Sequence, residues 1–289
     1  MSAIQPLRRL LDRLPHGEVA DRLYLLIIFV YAHRRMPRRN SGLFNDYLFF
    51  LKSSPAIMDI CRQITSDKIL VKRFIDSRVG EGHTIATKTI FHSVDEIILS
   101  DLERPCVIKP AHASGNVVFV DSEKQHLRFS EKEILENALK SSPYQSAREA
   151  NYRYLRPRLI CEPMLRDGKH TKDYKFFCYN GQPRIVQVDS HRQTAHRRNL
   201  YRADWSPLNI RYNFPVGEWE AAPERLSEML KLAKNLSSSF EFVRVDFFVE
   251  DDSFYIGELT HCPESAHGRF GDIESEQIFS DILFSSERG

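Results

Sequence analysis

Apolar and polar positions along the chain keep two different rhythms. Ile57, Ile60, Cys61 and Ile64 recur at helical spacing behind Ser53, Ser54 and Pro55, a helix start. Leu226, Met229, Leu230 and Ala233 fall on one face and predict a helix from Pro223 to Leu236. Lys68 to Phe74 starts another that ends before Gly80 and Gly82. Ser93 with Glu96, and Ser130 with Glu133, read as capping boxes opening helices over Ser93–Leu99 and Ser130–Leu139. Tyr144 to Arg156 reads as a further helix closed by Pro157. Between these lie short runs at strand period: Cys106 to Ile108, Asn116 to Val120 and Leu159 to Glu162. Tyr174–Tyr179 and Pro183–Val188 form a hairpin over Asn180-Gly181. A last hairpin lies in RVDFFVEDDSFYIGELTHCPE, Arg244 to Glu264.

The order predicts an α+β protein with mostly antiparallel sheets. A helical, basic segment covers residues 1–65, followed by a unit over 66–160 and another over 161–289. There is no GxGxxG, no GxxxxGK[ST] and no HExxH, so the chemistry must lie in other groupings.

If the last hairpin turns at Asp252, Asp246 faces Glu258 and Arg244 faces Thr260. Phe248, Phe254 and Ile256 then share their side. Like charges directly opposite are destabilising, so the carboxylate pair predicts a compensating group, with a divalent cation as one candidate. Two carboxylates without a Cys or His pair point to a hard cation such as Mg²⁺, which takes few protein ligands and adds substrate phosphates. Upstream, Lys109 ends a strand and KPAHASGN follows, with His112, Ser114, Gly115 and Asn116 in a loop whose N–H groups can cradle phosphate. ICEPML, with Glu162, Pro163 and Met164, offers a strand end that suits adenine. In KDYKFFCYNGQP, Lys175 falls on the polar face. SHRQTAHRR concentrates His191, Arg192, His196, Arg197 and Arg198, either as a solvated basic run or as an anionic-substrate site. Together the groupings imply ATP and magnesium.

Charge narrows the partners. The net charge is +2, nearly balanced, and gives no strong argument for nucleic acid, which is not expected as a partner. Five scattered cysteines read as buried thiols in a reduced compartment, with Cys262 the candidate if any were a nucleophile. The apolar run Leu23–Ala32 is too short to span a bilayer. Arginines flank it, including Arg22, Arg34, Arg38 and Arg39, so it reads as a buried helix or, alternatively, an interfacial helix touching anionic lipid. No signal peptide is visible.

At this point the sequence resembles the ATP-grasp superfamily, and within it the TupA-like proteins of bacterial surface-polysaccharide and teichuronopeptide synthesis. The resemblance runs from about Asn40 to Phe279 and rests on FNDYLFFLK, SDKILVKRFI, DYKFF, RVDFFV and GELT in that order. It implies two α+β subdomains grasping ATP between antiparallel sheets, the smaller over 66–160 and the larger over 161–289. It also implies roles. Lys109 contacts nucleotide, His112–Asn116 form the loop over phosphates, and Glu162, Pro163 and Met164 sit at the adenine. Asp246 and Glu258 bind magnesium, and Arg244 neutralises phosphate. Many relatives carry E-x-N where this chain has Glu258-Leu259-Thr260, so Thr260, or His261, stands in for the asparagine. The implied activity is a carboxylate–amine ligase working through an acyl phosphate. It would join a glycan or nucleotide-sugar uronate to an amino acid or other amine, with Lys175 and Arg244 on the phosphoryl group and Arg192 orienting the carboxylate. A sugar or glycan kinase and a non-catalytic glycan- or membrane-associated scaffold are the alternatives. The expected place is the cytoplasm, with peripheral contact at the inner membrane through the basic first segment.

Overall fold

The computed structural model describes residues 11, 13–165, 172–190, 195–250 and 253–285. Ten strands make two antiparallel sheets among these residues. The smaller joins β1 (Thr89–Phe91), β2 (Cys106–Pro110), β3 (Val118–Val120) and β4 (Leu159–Pro163) in the order β1-β4-β2-β3. The larger runs β10-β9-β5-β6-β7-β8, from β5 (Lys172–Tyr179), β6 (Gln182–Ser190), β7 (Arg197–Arg202), β8 (Pro207–Leu208), β9 (Phe242–Glu250) and β10 (Ser253–Thr260). Helices precede both: α1 (Glu18–His33), α2 (Phe44–Lys52), α3 (Ile60–Ser66) and α4 (Leu70–Val79). Then come α5 (Phe129–Lys140), α6 (Pro143–Ala147), α7 (Leu226–Ser237) and α8 (Ile273–Leu283). β4 pairs with β1 and β2 along its length, so a division after residue 160 cuts across a strand of the smaller sheet.

The larger sheet packs helices against both faces, each over part of its area. On the first, α7 lays Met229, Leu232, Ala233 and Leu236 over Phe176, Val186, Val243, Val245 and Phe247, with Val71 and Ile75 of α4 beside them. On the second, Phe44 of α2 meets Phe177, Phe242 and Phe279 ring to ring. Seven of the nine residues of α2 are buried, so this helix is core, not a solvated flank. α1 packs Ile28 and Phe29 on Phe49. It is tied to the body by Arg148, whose guanidinium donates to Asp21 at 2.6 Å and to the carbonyls of Leu14 and Pro15. No helix among the described residues is long and apolar enough to cross a membrane.

Several local expectations shift for physical reasons. The helix expected over Tyr144–Arg156 stops at Ala147. Arg148 turns left-handed (φ 53°) as its side chain is drawn into the first segment, and only a 3₁₀ turn at Ala150–Tyr152 follows. Ser93–Leu99 holds one 3₁₀ turn, Val94–Glu96, because Ile97 and Ile98 go extended. α5 starts a residue earlier than expected. Glu131, not Glu133, accepts the N–H of Arg128, at 2.8 Å, and closes the cap. β7 was hidden inside a basic run, yet Arg198, Asn199, Leu200 and Tyr201 are all buried.

The closing hairpin pairs Asp246 with Glu258 and Arg244 with Thr260, as the sequence predicts; its turn lies outside the described residues. The expected side for Phe254 and Ile256 is wrong. A bulge at Gly257 shifts the register by one, so Ile256 pairs with Phe247, and both phenylalanine and isoleucine join the α7 core. A Cβ on Gly257 would stand 2.3 Å from the Phe248 ring. Gly257→Ala is therefore expected to cost about 1–3 kcal/mol, the overpacking range, in urea denaturation. An unchanged midpoint would show that Phe248 yields freely.

Candidate active site

Directly opposed residues of an antiparallel sheet share a face, and the ladder sets two polar rows across the larger sheet. The first runs Glu258, Asp246, Lys175, Gln187 over β10, β9, β5 and β6. The second runs Asp173, Asp189, Arg198 over β5, β6 and β7. Toward the other end of the same face the side chains become Phe177, Ile185 and Leu200, which α2 and α8 cover. The half of this face that α2 and α8 leave uncovered is thus polar, and its side chains apart from Glu258 are buried among one another.

The charges in the rows compensate each other. Arg244 donates to Asp246 through Nε at 2.7 Å and Nη2 at 2.6 Å, and to Thr260 Oγ1 at 3.2 Å. Its Nη2 lies 3.8 Å from Glu258 Oε1, to which Thr260 donates at 3.3 Å. The repulsion expected between the two carboxylates is answered by this guanidinium. Burial works against the Arg244 charge, but Asp246 and Glu258 outweigh it and hold Arg244 protonated. The Glu258 side chain remains 34% exposed, against 6% for Asp246, so Glu258 is the open carboxylate. Burial raises its pKa, yet Lys68, Arg244 and Lys175 prevail and bring it below the usual value. Lys175 reaches from the first row into the second, its Nζ 3.0 Å from Asp173 and 3.3 Å from Asp189. Arg198 donates through Nε to Asp189 at 2.7 Å and through Nη1 to Glu264 at 2.8 Å.

Glu264 reaches Arg198 from an unusual turn. Glu264, Ser265 and Ala266 all have left-handed φ, 52° to 63°, without a glycine among them. Each such residue costs roughly 1–2 kcal/mol. The turn is held by Lys52, which donates to Ser265 O at 2.9 Å and Oγ at 2.7 Å, and by Ser265 Oγ donating to Glu149 at 2.7 Å. This is strain stored next to the carboxylate row.

The smaller sheet supplies a second cationic group. Glu162 of β4 is gripped at 2.5 Å by Lys109 of β2 and at 2.5 Å by Lys72 of α4. Burial raises the Glu162 pKa, but the two lysines overcome this and hold the carboxylate ionised. Lys68, just before α4, donates to Ala113 O at 2.6 Å; burial lowers its pKa, against the opposing pull of the Glu258 charge. Lys68 and Lys72 were not read as site residues, although SDKILVKRFI displays them four apart.

Other expectations meet mixed outcomes. Ser114, Gly115 and Asn116 are exposed, with left-handed φ at Gly115 (79°) and Asn116 (54°). His112 is buried under the loop instead: Nε2 lies 3.1 Å from Ser141 O, and Nδ1 accepts the Arg158 N–H at 3.3 Å. β4 is flanked by β1 and β2 rather than lying at an edge, and the Met164 N–H donates to Pro105 O at 3.1 Å. Pro163 ends the strand pairing opposite Cys106. Arg192 lies outside the described residues. Cys262 is buried and its thiol is pushed up to about 12 by that burial, which leaves it inert.

His261 does not stand in for the missing asparagine. It points away from Thr260, with Nδ1 accepting from Arg62 Nη1 at 2.9 Å and Nε2 2.8 Å from Thr65 Oγ1. Burial holds its pKa well below the usual value, with the Arg62 charge adding to the effect. A histidine depressed in the fold stabilises fully above its unfolded value near 6.5, and that stability drains as pH falls below it. The destabilisation caused by His261→Gln should therefore shrink by about 1.4 kcal/mol per pH unit below about 6.5. Urea titrations of both proteins at pH 7.5 and 5.5 measure this; a pH-independent difference would mean His261 titrates normally.

The donors fit magnesium better than a cation needing a full protein cage. Among the described residues no cluster of three or more His, Cys, Asp or Glu is placed to hold an ion. What is present is one open carboxylate, one paired carboxylate and surrounding cations, matching an ion that completes its shell with water and phosphate oxygens.

A likeness extends to D-alanine–D-alanine ligase from Helicobacter pylori, at 17% identity and TM-score 0.42, over 78% of this chain and 60% of that one. Another extends to L-amino acid ligase from Bacillus licheniformis, at 13% identity and TM-score 0.44, over 86% and 59%. The chain thus spans about three-fifths of the length of these structures, and at such similarity what they act on remains theirs. A search of curated proteins found no match. The family model for TupA-like ATP-grasp proteins matches residues 53–284, most of the chain and both sheets. The chain belongs to the TupA-like ATP-grasp family.

Proposed function

We infer that this protein is an ATP- and Mg²⁺-dependent ligase that joins a uronate carboxylate of a glycan to an amine. The observation that carries the reading is the open carboxylate of Glu258 beside Arg244 on the larger sheet, together with the Lys109–Glu162–Lys72 cluster on the smaller one. Cations directed at one region stabilise charge that builds on a transferring phosphoryl group. Lys109 and the exposed loop Ser114–Asn116 would hold nucleotide phosphates, and Glu162 fixes where Lys109 points. Glu258, with Asp246 beneath it, would hold magnesium, which when bound neutralises phosphate charge. Thr260 orients Glu258 by its hydroxyl. Arg244 is already committed to Asp246 and acts on charge from within the sheet.

In this reading a carboxylate takes the γ-phosphoryl group and an amine then displaces phosphate, so ADP, phosphate and an amide appear in equal amounts. The test is product analysis with ATP, Mg²⁺ and uronate–amine pairs. ADP with an amide supports the ligase; ADP with a phosphorylated sugar replaces it by a kinase.

A further inference from the structure

A cleft of about 550 Å³ opens at the end of β6 and β7, between Ser190, Arg197 and residues 216–220. Ser190 pairs with Arg197, one step beyond the Asp189–Arg198 pair. Side chains alternate along a strand, so the cleft lies on the face opposite Asp189 and Lys175. Tyr201, which shares Arg197's side of β7, sits in the α7 core accordingly.

The far wall of the cleft is fixed to β7. The Asn199 side chain accepts the Gly217 N–H at 2.7 Å and donates to Glu218 O at 2.5 Å, as a neighbouring strand would. Tyr201 accepts the Glu220 N–H at 2.9 Å, and the Trp205 indole donates to Glu220 O at 2.9 Å. A Cβ on Gly217 would approach Arg197 Cβ to 2.9 Å, so glycine lets the wall lie this close.

Trp219 stands on that wall. Its ring meets Tyr201 edge-on, at 78° and 5.5 Å, and Tyr201 is stacked on Trp205 at 4.2 Å. Even so, Trp219 is 46% exposed. A rigid scaffold thus holds a large apolar ring open to water, forgoing the burial that such a ring normally gains. Arg197 and Glu218 are exposed beside it, and neither makes an ion pair among the described residues.

We propose that this cleft is a glycan-holding site that takes one pyranose of an acidic polysaccharide. The C–H face of the sugar lies on Trp219, its carboxylate meets Arg197, and its hydroxyls meet Glu218 and Ser190. A pyranose has one apolar face and a polar rim, which is what an upright indole among polar side chains complements. An arginine fork matches a carboxylate with two parallel bonds. The site goes beyond the ligase reading and does not depend on it, because holding here requires no nucleotide.

The test is calorimetric titration of the full chain, without ATP, using tetragalacturonate and the neutral maltotetraose. Tetragalacturonate should bind at least about tenfold tighter, the difference one charge-assisted contact makes. Trp219→Ala should weaken it roughly tenfold, while Trp219→Phe retains most of the affinity. Arg197→Gln should erase the preference for the acidic sugar. Both positions are exposed, and thermal melting of each variant verifies folding. No binding of either sugar, equal affinity for the two, or an unchanged Trp219→Ala would overturn the proposal. So would tighter binding of uridine monophosphate, which would assign the ring to a base. The outcome is independent of whether Glu258→Gln affects ATP turnover, so the two readings fail separately.

Discussion

Glu258→Gln is expected to reduce ATP turnover at least about a thousandfold, the scale on which a metal or oxyanion contact acts, while leaving the fold intact. The side chain is one-third exposed, so its replacement leaves no deeply buried cavity. Gln keeps the shape and can still accept from Thr260, but it removes the negative charge beside Arg244. Asp246→Asn tests less cleanly, because it also weakens the two short bonds to Arg244 and leaves that guanidinium buried. ADP release with a uronate–amine pair, beside urea denaturation, separates catalysis from folding. Turnover within a few-fold of wild type would remove the magnesium assignment. Loss of turnover together with a collapsed midpoint would instead make Glu258 a structural residue.

Arg198→Met should destabilise the protein by about 3–5 kcal/mol, the cost of leaving a buried charge without its partner. Arg198 and Asp189 are both almost fully buried, and two nitrogens of the guanidinium contact the carboxylate. Burial raises the Asp189 pKa, but Arg198 and Lys175 overcome it and hold the carboxyl well below the usual range. A carboxylate depressed in the fold contributes stability that is present above its unfolded value near 3.9 and is lost as pH falls below it. Without Arg198 the depression shrinks, so the acid-unfolding midpoint should move to higher pH. The variant also frees Glu264 and with it the left-handed turn at Glu264–Ala266. Denaturation at pH 7 and a pH titration read both effects. A change below 1 kcal/mol would mean that Lys175 and His196, whose Nε2 lies 3.1 Å from Asp189 Oδ1, suffice for Asp189.

Some of this was legible in the sequence because it depends on near neighbours. The pairing of Asp246 with Glu258 was expected from strand period and is present, though the structure reaches it by a register shifted by one beside the turn, whose offset the Gly257 bulge restores. The Asn180-Gly181 hairpin, α7 and α4 follow from turn chemistry and apolar spacing in the same way. Family words in the right order were enough to predict the α+β ATP-grasp fold.

What the sequence could not decide rests on contacts between distant segments. That Arg244 shares a face with Asp246 was legible from strand period, but that its guanidinium closes on the carboxylate, so that a cation is not required to explain the hairpin, shows only in the folded geometry. Gly257 looked like ordinary strand and proved to be the bulge that sends Ile256 and Phe254 to the core. Lys72 meets Glu162, 90 residues away, and His112 turns inward to Ser141 instead of outward to the loop. Periodicity fixes which face a side chain takes within an element. It carries no information about which buried charge from another element will stand opposite, and in this protein those pairings decide which groups are structural and which remain open to ligand.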